Sequence, residues 1–119
     1  MADRSSIAAL FDIVEAIDRI REATEGTTAE QFEADWKLQW VVERGVEIIS
    51  EASRRLPGDF KAAHPEIPWS KVAGIGNILR HDYNDVASPI IWNLVLSELG
   101  PLEQVCRDEK QRLESDRSS

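Results

Sequence analysis

GIGNILRHDYNDV, residues 74–86, admits two readings that lead to different folds. A glycine-rich run can be a phosphate-cradling loop, but such a loop joins a strand to a helix, and no strand-like alternation precedes this one. On a helix, at about 100° per residue, the same stretch sorts itself. Ile75, Ile78, Leu79 and Asp82 fall on one side, and Asn77, Arg80, His81 and Asn84 gather opposite, at steps of three and four. Gly76 and Tyr83 lie one above the other along a third edge. An apolar face backed by a polar one is the mark of a helix packed in a bundle.

The flanks agree with the helical reading. Pro68 suits the first position of this helix, and Ser88-Pro89 resembles a cap followed by proline at the start of another, IIWNLVLSEL. Upstream, Ile7, Leu10, Phe11, Val14, Ile17 and Ile20 are helix-spaced, predicting a first helix over about 3–24. EGTT interrupts it, and Thr28 with Gln31 forms a capping box for a long second helix over about 29–56. Phe32, Trp36, Trp40, Val42, Val46, Ile49 and Leu56 mark the buried stripe of that helix. Pro57-Gly58 stops it, and residues 60–68 read as a loop or a single turn. Gly100-Pro101 breaks or kinks the run after IIWNLVLSEL, and a last amphipathic helix follows, with a polar tail from about 115. The expectation is an all-α bundle of four or five helices.

The 119 residues suit one domain, with 42% hydrophobic and 30% charged residues. No apolar run approaches the ~20 residues that span a bilayer, and the acidic first helix does not read as a signal peptide. The single cysteine, Cys106, excludes an internal disulfide framework and points to the cytoplasm. Two histidines and one cysteine give no metal-ligand spacing. A net charge of −8 argues against nonspecific wrapping of nucleic acid, and fits a protein whose main contacts are with other proteins. The four tryptophans fill the core or, for Trp69 and Trp92, sit at a dimer interface.

Asn77, Arg80 and His81 on one face suit phosphodiester chemistry without a metal. Attack by a ribose 2′-hydroxyl needs a base, an acid for the leaving 5′-oxygen, and positive charge beside the phosphorus. Histidine serves as base or acid near neutrality, and arginine grips phosphate through two parallel hydrogen bonds. A two-fold dimer would bring a second histidine to the same groove. The plainer reading of this face is a solvated surface carrying an incidental histidine. Each mid-helix glycine costs about 1 kcal/mol against alanine, which either a site or a close helix approach would explain.

The run PWSKVAGIGNILRHDYNDVASPIIW, with the upstream VVERGVEIISEA, resembles the HepT-like toxin family of the HEPN superfamily. The likeness extends from the first helix to LGPLEQV. It implies a helical bundle that dimerises with its motif helices at the interface. It further implies a metal-independent endoribonuclease, with no cofactor, acting as the toxin of a two-gene module. The partner implied is a minimal nucleotidyltransferase antitoxin, which in some systems adenylylates the motif tyrosine. Carried onto this chain, His81 is the catalytic histidine, Asn77 the polar residue of the motif and Tyr83 the modification candidate; without the family, the favoured reading of Tyr83 is a side chain packed against the second helix.

One residue departs from the pattern. The family's arginine position, five residues before the histidine with four between, is Gly76 here, and the longer spacing would fall on Gly74. Arg80, one turn on, is the replacement, its side chain leaning back toward Gly76. The alternative is a binding module that has lost catalysis. Arg44, Glu47 and Glu51, at steps of three and four, either line the groove and hold Arg80 or His81, or form a solvated ion-pair face.

Overall fold

Thr28 starts the decisive turn of the chain. Its hydroxyl accepts from the Gln31 amide at 3.1 Å, and the Gln31 side chain accepts from the Thr28 amide at 2.9 Å, so the expected capping box is present. The structure, a computed structural model, describes residues 4–81 and 88–118. Among them are seven helices and no strand. Five have ten residues or more: α1 (Arg4–Thr24), α3 (Trp36–Ser53), α5 (Trp69–His81), α6 (Ser88–Ser97) and α7 (Leu99–Ser118). Two are short: α2 (Ala29–Ala34) and α4 (Gly58–Ala62).

The single helix expected over about 29–56 is therefore two. Asp35 is extended, with φ −113° and ψ 93°, and its carboxylate accepts from the Leu38 amide at 3.1 Å, capping α3. Gln39 donates to the carbonyls of Phe32 and Glu33, at 2.9 and 2.8 Å, sealing the end of α2. The break shifts the phase of the buried stripe. Phe32, Val42, Val46, Ile49 and Leu56 are in the core as expected, but Trp36 and Trp40 are 57% and 59% exposed.

The other boundaries follow proline chemistry. Residues 58–62 form one short helix, and Pro68 stands just before α5, its carbonyl accepting from Val72 at 3.0 Å. The break between α6 and α7 falls at Glu98, two residues before Gly100-Pro101. Pro101 has no N–H to offer Ser97, so it sits in the first turn of α7 and the preceding helix ends upstream. α7 then runs on through 115–118.

α3 is the hub, packed on α1 along one side and α5 along another, while α1 also packs on α7, and α2 and α7 hold α6. Gly45 permits the α1–α3 approach: a Cβ there would lie 2.7 Å from Ile20 Cγ1. Trp92 is buried and stacks on Phe32, ring centroids 4.9 Å apart. Trp69 donates to the carbonyls of Lys61 and His64, both at 3.0 Å, pinning the loop before α5. Trp92 is thus an interior anchor and Trp69 a half-buried one packed against the core, and the outward-facing tryptophans are Trp36 and Trp40. Among the described residues no helix is long and apolar enough to cross a membrane.

Candidate active site

α5 carries the motif, and its placement is set by one serine. Ser50 of α3 is buried; its hydroxyl donates to the Ala73 carbonyl at 2.7 Å and accepts from the Gly76 amide at 3.1 Å. Arg54 donates to the same Ala73 carbonyl at 2.7 Å. A Cβ on Gly76 would stand 2.6 Å from Ser50 Oγ and 2.7 Å from its Cβ, closer than real atoms approach. Gly76 is therefore explained by a close helix crossing. The direction in which a side chain at 76 would point is filled by Ser50, so this glycine does not leave an open channel beside the motif. No side chain, arginine included, fits there without parting α3 from α5. Gly74 has open space around its Cβ position, and nothing in the structure explains it.

These contacts also fix direction. Arg54 and Ser50 meet Ala73, and Ser50 and Glu47 meet Gly76, so α3 and α5 run antiparallel. One turn further, Glu43 stands level with the last turn of α5, residues 79–81. Glu43, Glu47, Ser50 and Arg54 share one face of α3, the face turned to α5.

Leu79 is buried and Asn77 exposed, which agrees with the two faces expected of this helix. Positions 77, 80 and 81 share one side of α5 by register. The side chains of Arg80 and His81 lie outside the described residues, as does the whole of Tyr83 with its neighbours Asp82–Ala87.

The supporting charges of α3 divide. Arg44 pairs with Glu47 at 3.5 Å, its side chain 72% exposed against 25% for Glu47. Glu51 instead turns to Arg55 at 3.1 Å, which also holds Asp12 of α1 at 2.9 Å. Glu51 thus belongs to the α1 side, and Glu47 to the α5 side. Glu43 joins Glu47 there, a residue the sequence reading missed although it lies one step of four before Glu47. Burial, and then the charge of Glu47, push the Glu43 carboxyl above its usual range. A pair of partly buried carboxylates beside the motif turn is suited to holding a cation or orienting an imidazole. His64 is remote from this face, in the loop before α5, within 3.4 Å of Glu66.

Comparison with known proteins bears on the same stretch. The family described as "Ribonuclease HepT-like" matches residues 13–109. A protein of Thermococcus cleftensis named "Probable ribonuclease HepT" is 43% identical over 94 residues, covering 79% of this chain and 86% of its own. A provisionally named RNase of Methanocaldococcus jannaschii is 31% identical over 104 residues, covering 87% of this chain and 95% of its own. Another, of Caldanaerobacter subterraneus, is 33% identical over 103 residues, covering 87% of this chain and 92% of its own. No solved structure matches the chain. The matched span runs from within α1 to within α7 and includes the Ser50–Gly76 crossing and the motif turn; the chain belongs to the HepT-like ribonuclease family.

Proposed function

We propose that this protein is a metal-independent endoribonuclease and the toxin of a cytoplasmic toxin–antitoxin pair, working as a homodimer. The observation that carries the reading is the helical register of Asn77 and His81 on α5, in a chain whose relatives bear ribonuclease names. His81 takes the proton of a ribose 2′-hydroxyl as the 2′-oxygen bonds to phosphorus. The bond from phosphorus to the 5′-oxygen breaks, and that oxygen receives a proton from an acid, the His81 of the second copy. Arg80 neutralises the charge that builds on the phosphoryl oxygens, and Asn77 orients the substrate. Glu47, with Arg44, borders the groove. The partner is a minimal nucleotidyltransferase that silences the toxin by adenylylating Tyr83.

A second reading is favoured by Gly76 and by the net charge of −8: a non-catalytic module that binds the nucleotidyltransferase, or nucleotides, without cutting RNA. The deciding experiment is cleavage of RNA by purified protein in EDTA, beside His81→Ala and Arg80→Ala. Cleavage lost in both variants supports the enzyme with Arg80 as its cation. Cleavage untouched by Arg80→Ala would remove Arg80 from the site. No cleavage from wild type of unmodified intact mass would establish the binding module.

A further inference from the structure

α1 and α3 meet closely at Gly45, and on their solvent side a cleft of about 540 Å³ lies between them. Ala16 and Ile20 of α1, with Gly45 and Ile48 of α3, form its floor, and Trp40 and Val41 stand at one end. Trp40 is 59% and Val41 48% exposed, so the apolar surface of the floor continues out to solvent. Trp36 extends it by one turn, packed edge to face on Trp40 with ring centroids 5.1 Å apart. Contiguous exposed apolar surface framed by charge marks a place where another surface docks.

The frame of this cleft is acidic. Arg19 is shared between Glu15 at 3.8 Å and Glu22 at 4.0 Å, and Arg55 between Asp12 at 2.9 Å and Glu51 at 3.1 Å. One guanidinium against two carboxylates leaves one negative charge over in each cluster. Arg44 and Glu47, 3.5 Å apart, cancel. Beyond the aromatic end Lys37 lies over the Trp36 ring, 5.7 Å from its centroid, so this tryptophan pair already accommodates a cation.

We propose that the cleft between α1 and α3 docks a short amphipathic helix of a partner protein, one whose apolar face is flanked by lysine or arginine. From Trp40 to Ile48 the cleft runs ~12 Å, about two helical turns, which suits apolar anchors spaced by three, four and seven residues. The flanking cations then meet Asp12 and Glu15 on the α1 rim. A second copy would bring the same two excess negative charges, and RNA its phosphates, so like charge disfavours both. The cleft lies on the α1 side of α3, away from the face turned to α5, and the proposal does not rest on the ribonuclease reading.

Titration with a synthetic amphipathic helix of leucine and lysine, followed by calorimetry and tryptophan fluorescence, tests this. Wild type binds the peptide with micromolar affinity, and its emission moves to the blue as Trp40 leaves water. Val41→Lys and Trp40→Ala each weaken binding at least about 10-fold with unchanged circular dichroism, since both side chains lie outside the core. Glu15→Lys also weakens it and flattens its salt dependence. A peptide of the same composition, rearranged so that no apolar helical face remains, binds at least about 10-fold more weakly. Equal binding of the rearranged peptide overturns the proposal, as does binding indifferent to Val41→Lys. So does self-association of wild type that Val41→Lys abolishes, which would give the cleft to a second copy. Retention of single-stranded RNA that Trp40→Ala abolishes would overturn it in favour of nucleic acid.

Discussion

Ser50 and Gly76 behave as one unit. Gly76→Ala forces a Cβ to within 2.7 Å of Ser50 Cβ, an atom that cannot rotate away. It should destabilise the fold by about 1–3 kcal/mol in urea unfolding. Ser50→Gly alone should cost about 1 kcal/mol from helix propensity, with a further loss from the bonds of the Ser50 hydroxyl to Ala73 and Gly76. The double variant should cost less than the sum, because the second glycine makes room for the new methyl; an additive cycle would show that the helices do not meet there. Cys106 makes the opposite case of an inert residue. Burial first, and then the nearby Glu109, push its thiol up to about 12. It should resist a thiol reagent at neutral pH in native protein and react at once in denaturant.

α3 shows what a pattern of apolar residues conveys and what it conceals. The capping box at Thr28 and the core positions Val42, Val46 and Ile49 were legible because cap chemistry and helical spacing are local. The break at Asp35 was not, since the stripe from Phe32 to Trp36 and Trp40 keeps helical spacing straight across it. The available signal was Asp35 itself, a preferred cap residue three positions before Leu38. Asp35→Ala should cost about 1 kcal/mol and expose the amide of Leu38 to faster hydrogen exchange. Likewise the motif helix was legible from its two faces, but not the reason for Gly76, because Ser50 lies 26 residues away in sequence. Glu43 was missed for the same reason: only the antiparallel register of α3 and α5 brings it level with the motif. Its raised carboxyl favours the protonated form in the folded state. Folding is therefore helped below the ordinary glutamate range, and that help is lost as pH rises through the folded value. Glu43→Gln should accordingly stabilise at pH 7 by about 0.2–0.5 kcal/mol, the size of a like-charge helix pair, and lose that gain in acid.

At the scale of the whole molecule, the bundle closes through a charged seam between its first and last helices. Glu103 of α7 accepts from Arg21 of α1 at 2.9 Å and from Arg107 at 2.8 Å, and Arg107 also bonds Asp18 of α1. Burial pushes the Glu103 carboxyl up, but the two arginines outweigh it and hold the carboxyl below its usual range. A lowered carboxyl stabilises above its unfolded value and loses that contribution as pH falls through its folded one. Glu103→Gln should cost about 1 kcal/mol at pH 7, and the difference from wild type should shrink on acidification in thermal melts. All-α architecture and the membership of the family follow from pattern and motif together; the closing seam, with partners 82 residues apart, does not.

The Ser50–Gly76 crossing also constrains descent. A lineage that carries glycine here cannot take a larger residue at 76 by a single substitution without parting α3 from α5. It would first have to empty position 50 and tolerate the looser helix pair. The spacing of two helices and the size of one side chain are in this protein a single heritable character, and the route between its two forms passes through a valley.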